Sequence, residues 1–257
     1  MPTKKRLIFA LLYFDGYFCQ SRNFKCQKVG DFDWLFKNYN FSNISKYLDE
    51  LILLNVNPKK ESNDNFLNTL EKIVENVFVP VAVGGGVDCT EKALSYLKSG
   101  ADKIIINSLI RKNTNIVASI INILGSQSVI ASIDYSNKKN PYIFNWEDKT
   151  TDTCLSLQSY IEKCEELGFG EILLNSVEKD GTGFGMDIEI VKYVSTRCKL
   201  PIIAMGGAGK YDHFYEVYEL PEINAVTTAN LLNFVGESLP KTRNELISQG
   251  INLAEFN

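Results

Sequence analysis

The sequence predicts an α/β fold, a single (βα)8 TIM barrel built from two similar half-barrels. Three observations predict it: the length, a rhythm of buried strands, and internal self-similarity. The chain has 257 residues, and one α/β barrel typically takes about 250. With 45% hydrophobic and 23% charged residues it has the makeup of an ordinary globular domain with a large core. One domain is expected over 1–257, with half-barrels at roughly 1–125 and 126–257.

The rhythm is carried by eight short apolar runs rich in branched residues: Leu7–Leu12, Leu51–Val56, Val79–Val83, Lys103–Ile106, Val129–Ile133, Glu171–Leu174, Pro201–Ala204 and Ala225–Thr228. Continuous apolar runs of this length fit strands buried on both faces. Between them lie longer segments with helical periodicity, among them Phe66–Glu75, Thr90–Ser99 and Leu155–Glu166. The last of these is followed by Gly168, a residue suited to a helix stop.

Laid over itself at an offset of 121 or 122 residues, the chain pairs one buried run with another. Leu7–Leu12 falls on Val129–Asp134, Glu50–Asn55 on Glu171–Ser176, Pro80–Gly86 on Pro201–Gly207, and Ala101–Ser108 on Ile223–Asn230. Four strands per half in the same order describe a barrel of two halves. The long polar, aromatic-studded insertion 137–153 follows the fifth strand, where barrel loops build sites. It reads as a solvated hairpin or as a loop that covers substrate.

Composition excludes several classes. A net charge of -4 gives no footprint for nucleic acid. The six cysteines form no CxxC pair and His213 is the one histidine, so no metal site and no cofactor are expected. The thiols read as buried or semi-exposed in a reducing cytoplasm. Leu7–Tyr13 is too short for a signal peptide or membrane span, and the protein is expected to be cytoplasmic with no membrane partner.

Two glycine clusters stand at equivalent strand ends, Gly84–Gly86 after the third strand and Gly206, Gly207 and Gly209 after the seventh. Glycine lets backbone N–H groups approach an anion, and Asn107, Ser108 and Asn230 add donors at neighbouring strand ends. The same residues also serve plain βα turns; their symmetric pairing favours a ligand with phosphate at both ends. Asp134, Glu178, Asp180 and Asp187 are the acid–base candidates at the strand ends, with Asp134 foremost because it closes the fifth strand. His213 reads as a lone surface or capping residue. Charged residues open four strands at the opposite end: Arg6, Glu50, Lys103 and Glu171. They either stabilise the barrel bottom or form a charged ring on its axis.

These residues resemble a known family. Val83–Val87, Gly100–Ser108, Gly125–Val129, Gly170–Leu174, Asp180–Thr182 and Ile203–Lys210 look like the cyclase subunit of imidazole glycerol phosphate synthase, over nearly the whole chain. The resemblance implies a glutaminase partner docked on the barrel bottom, ammonia passing through the barrel, and a sugar-phosphate substrate at the top. It makes Arg6, Glu50, Lys103 and Glu171 the ammonia gate, and Asp102, Lys103 and Gln127 part of the glutaminase interface. Asp134 and Asp180 become the catalytic acids, and Gly85, Gly86, Ser108, Gly181, Gly206, Gly207 and Asn230 the phosphate and substrate contacts.

The departures matter as much. Where the family places its first catalytic aspartate, at the end of strand one, this chain has Leu12. Gln20 stands for a lysine, Asn55 for an aspartate, and Met205 and Asn230 replace small or hydroxylated residues. Such changes resemble the divergent paralogues found with glycan genes. The expected function is therefore an ammonia-using synthase subunit for sugar amidation in glycan biosynthesis, with a possible third amidotransferase subunit. The alternatives are an authentic histidine-pathway cyclase and a non-catalytic scaffold that activates the glutaminase.

Overall fold

The computed structural model describes residues 4–39, 45–57, 64–137, 140–220, 222–229 and 238–255. In chain order the first half contains strands β1 (Arg6–Phe14), β2 (Tyr17–Arg22) and β3 (Lys25–Gly30), helix α1 (Phe32–Tyr39), strand β4 (Glu50–Asn55), helix α2 (Asp64–Asn76), strand β5 (Val81–Gly84), helix α3 (Thr90–Lys98), strand β6 (Lys103–Ile106) and helices α4 (Leu109–Lys112) and α5 (Thr114–Leu124). The second half runs β7 (Val129–Ser136), β8 (Tyr142–Asn145), β9 (Thr150–Ser156), α6 (Leu157–Leu167), β10 (Glu171–Ser176), α7 (Ile188–Ser195), β11 (Ile202–Met205), α8 (Tyr211–Tyr218), β12 (Ile223–Thr228) and α9 (Ser238–Ser248).

Eight strands close a parallel barrel in the order β1-β4-β5-β6-β7-β10-β11-β12, with β12 pairing back onto β1. All eight apolar runs supply these strands. Ile8, Ile52, Ala82, Ile105, Ile130 and Ile203 belong to one buried cluster that fills the barrel interior, while the alternate strand residues join a larger cluster under the helices. On α2 the buried residues Phe66, Leu70 and Ile73 recur at helical spacing and face that outer core. Asn113 caps α5 by accepting from the N–H groups of Asn115 and Ile116 at 3.1 and 3.2 Å. The third predicted helix starts two residues late: Leu155 and Ser156 belong to β9, because the Ser156 hydroxyl accepts from Ser159 N–H and caps α6.

The repeat holds in register. Leu12 of β1 lies opposite Leu54 of β4, and Asp134 of β7 lies opposite Asn175 of β10. Leu12 and Asp134 are thus two-fold equivalents. Each half also carries a hairpin that grows antiparallel from the end of its first strand, β2–β3 on β1 and β8–β9 on β7. Insertion 137–153 is accordingly a hairpin, except for residues 138 and 139, which lie outside the described residues. No helix among the described residues is long and apolar enough to cross a membrane.

The N-terminal end of the barrel is closed by polar stitches. Asp49, Asp102 and Asn224 accept from the N–H groups of Leu7, Val81 and Ile202, the first residues or near neighbours of adjacent strands, at 2.8, 2.8 and 3.2 Å. Arg243, 2% exposed, forks onto Asp49 at 2.8 and 2.9 Å and donates to the Ala254 carbonyl, tying the C-terminal segment to the barrel.

Candidate functional site

The C-terminal end of the barrel gathers the polar residues that the interior lacks. Asp134 is 6% exposed and accepts from two amides, Asn107 Nδ2 at 2.9 Å and Asn175 Nδ2 at 3.0 Å. Burial pushes its carboxyl up to about 6, against the pull of these two amides. A carboxyl poised there can both give and take a proton near neutral pH. Across from it, Leu12 and Leu54 occupy the equivalent places of the first half, so acid–base capacity at the axis is concentrated on one side.

Asp180 is also buried, and burial raises its carboxyl above the ordinary value. Its Oδ2 accepts from the Ser21 hydroxyl at 2.5 Å and from Phe24 N–H at 2.8 Å. Both donors belong to the β2–β3 hairpin region, which leans over the ends of β11 and β12. Asn23 adds hydrogen bonds to the backbone of Val177, Glu178 and Asp180, and the Phe24 ring meets Phe144 of the β8–β9 hairpin edge-on at 5.4 Å. Gly181 sits where a Cβ would strike the Ser21 carbonyl oxygen, so its absence of a side chain lets the hairpin dock. The other two carboxylates are spent on loop structure: Glu178 accepts from Ser136 and Asn137 N–H, and Asp187 from the Asn137 amide.

Gly206 and Gly207 hold φ of +100° and +98°, and a Cβ on Gly207 would meet the Gly185 carbonyl. They face a cavity of about 270 Å³ between the barrel end and the β2–β3 hairpin, against which Asp180, Gly181, Met205, Thr227, Arg22 and Lys25 also lie. At the first cluster Gly85 backs onto the Asn55 carbonyl, and Lys92 Nζ comes close to Gly86. Ser108 is half-buried at the start of α4. The two glycine clusters therefore sit in opposite halves of one barrel end, and Asn230 lies outside the described residues.

At the other end Arg6, Glu50, Lys103 and Glu171 form a closed ring of four ion pairs. Arg6 bonds Glu50 at 2.5 Å and also Glu171, while Lys103 reaches Glu50 at 3.0 Å and Glu171 at 3.3 Å. Both carboxylates are buried. These residues share the inward face with Ile8, Ile52, Ile105 and Leu173, so the ring stands at the mouth of the apolar interior. Asp102 and Gln127 are exposed beside it, although the Asp102 carboxylate also stitches Val81. Phe78, 95% exposed, lies in the connection entering β5, and Ile123, 57% exposed, in the last turn of α5 ahead of β7, both at this same end.

Two expectations are corrected. His213 is not a surface residue: it is 7% exposed, and its Nδ1 accepts from Gly209 N–H at 3.1 Å, which holds the second glycine loop. Burial and Lys210 lower its pKa, consistent with a neutral acceptor. Cys26 and Cys154 are exposed rather than buried or semi-exposed, because they stand on β3 and β9 of the two surface hairpins. Ser21, Arg22 and Lys25 were not among the residues expected at the site, because Lys25–Lys28 carries no apolar alternation that would mark a hairpin strand.

Comparison with known proteins agrees with this geometry. The family model described as "Histidine biosynthesis protein" matches residues 23–237. A Parasynechococcus marenigrum protein named for imidazole glycerol phosphate synthase subunit hisF2 is 40% identical over 95% of this chain and 90% of its own. The imidazole glycerol phosphate synthase subunit HisF of Prosthecochloris aestuarii is 32% identical over 96% of this chain and 97% of its own, and that of Pyrobaculum aerophilum 34% over 80% and 81%. With a closed eight-stranded parallel barrel, the family match over most of its length and these relatives on both sides, the chain belongs to the HisF family of cyclase subunits of imidazole glycerol phosphate synthase.

Proposed function

We propose that this chain is the synthase subunit of a glutamine-dependent complex in the cytoplasm. A HisH-like glutaminase docks on the N-terminal end, using Asp102, Lys103 and Gln127, with Phe78 and Ile123 as apolar anchors. Ammonia enters through the ring of Arg6, Glu50, Lys103 and Glu171 and follows the apolar axis to the opposite end. There it meets a phosphorylated or sugar acceptor held by Gly85, Gly86 and Ser108 on one side and Gly181, Gly206, Gly207 and Asn230 on the other. Asp134 moves the proton, and Asp180 contacts the acceptor beside it. The single observation that carries this reading is the placement of a buried ion-pair ring and a buried carboxyl of pKa about 6 at the two ends of one apolar-filled barrel.

The acceptor is proposed to be a sugar that becomes amidated in glycan biosynthesis, with a third amidotransferase subunit completing the reaction where required. Leu12 is the reason: a reaction needing one acid on each side of the axis is short of one here, and losing a general acid typically costs about 10²–10⁴-fold in rate. The names of the relatives favour a second reading, the cyclase step of histidine biosynthesis. Expression in a strain lacking its authentic cyclase separates the two. Histidine-independent growth is not expected, and robust growth would establish the second reading instead.

A further inference from the structure

The cavity beneath the β2–β3 hairpin has two walls of different origin. One is the barrel end, with Gly206, Gly207, Met205 and Thr227; the other is the hairpin, with Arg22 and Lys25. Arg22 and Lys25 are a cross-strand pair at the closed end of the hairpin, so two like charges stand opposite each other. Such an arrangement is unfavourable in itself. Among the described residues neither side chain has an ion-pair or hydrogen-bond partner that would offset it, and both are exposed. The one carboxylate on the cavity wall, Asp180, is turned to Ser21 and Phe24 instead.

A second, independent sign comes from Thr227. The residue is 0% exposed, its hydroxyl has no hydrogen-bond partner, and it lies against the same cavity. A buried hydroxyl left unpaired is costly unless something supplies its partner. The volume of about 270 Å³ has room for a phosphate group with a few carbons.

We propose that Arg22 and Lys25 are specificity-determining residues of the acceptor site, selecting an acceptor that presents a doubly charged phosphate-monoester group to this cavity. The assignment rests on the reading that this barrel end takes a phosphorylated acceptor. The anion sits between the hairpin cations and the Gly206–Gly207 turn, with the Thr227 hydroxyl as a further donor. Its charge relieves the repulsion between Arg22 and Lys25 and holds the hairpin against the barrel.

The test uses the full chain and two probes, methyl phosphate, a dianion above neutral pH, and dimethyl phosphate, a monoanion. Calorimetric titration at pH 8 is expected to show the wild type preferring methyl phosphate at least tenfold. The variant Arg22→Gln with Lys25→Gln should lose that preference, and Arg22→Lys with Lys25→Arg should keep most of it. Melting temperatures of both variants should stay near wild type, since the side chains are exposed. Equal methyl phosphate affinity in the glutamine variant and the wild type would overturn the hairpin assignment while leaving the acceptor reading intact. A wild type that binds neither probe at this cavity would overturn both.

Discussion

Replacing Asp134 with asparagine sets stability against function, and the structure fixes the sign of each. Burial raises the Asp134 carboxyl from 3.8 to about 6, so the ionised form is disfavoured in the folded chain relative to the unfolded one. A group raised in this way adds stability below pH 3.8 that is lost as pH rises through about 6. The full penalty is therefore present at pH 8, and a displacement of this size corresponds to about 3 kcal/mol. Asparagine removes the charge but keeps only one acceptor oxygen for the amides of Asn107 and Asn175, giving back about 1 kcal/mol. Asp134→Asn should consequently stabilise the chain by about 2 kcal/mol at pH 8, a rise in melting temperature of about 4–8 °C. Near pH 4 the gain should vanish. Any acid–base activity assigned to this end should fall by about 10²-fold or more, the usual trade of stability for function at a site. Melting curves of both proteins from pH 4 to pH 8 check the argument. A difference that does not change with pH, or a variant less stable at pH 8, would refute it.

Two further outcomes follow from the same geometry. Glu50→Ala leaves Arg6 and Lys103 sharing Glu171 alone; because both cations are about one-fifth exposed, the loss should fall near the low end of the range for broken buried pairs, about 3 kcal/mol by urea denaturation, and a loss under 0.5 kcal/mol would mean the ring contributes nothing. Gly207→Ala forces a side chain into a left-handed backbone and against the Gly185 carbonyl, so it should cost about 1–3 kcal/mol and abolish methyl phosphate binding, with unchanged binding placing the anion elsewhere.

How much of this was legible in the sequence depends on whether the signal is local. The eight barrel strands were readable because they are buried on both faces and leave continuous apolar runs. Arg6, Glu50, Lys103 and Glu171 were readable for the converse reason: each is a charge at the start of such a run, and the repeat aligned Glu50 with Glu171. The β2–β3 hairpin was not readable. Lys25, Cys26, Gln27 and Lys28 are exposed and carry no apolar alternation, and the hairpin is held from outside by Asp180 and Phe144. The amide pair around Asp134 was invisible for a third reason, since it forms only when β6, β7 and β10 take their register. His213 needed the fold of its glycine loop before its burial made sense. Local pattern thus revealed the scaffold and its charged ends, while contacts made between loops of different halves had to await the structure.

In the proposed function the charged end of the barrel receives a glutaminase and couples it to the site around Asp134. The most direct measurement is glutamine hydrolysis by candidate HisH-like glutaminases, with and without this chain, supported by co-purification of the pair. A stable complex is expected, in which hydrolysis rises at least tenfold and Lys103→Ala disturbs the coupling more than it weakens docking. No complex with any candidate and no change in hydrolysis on adding the intact chain would contradict it.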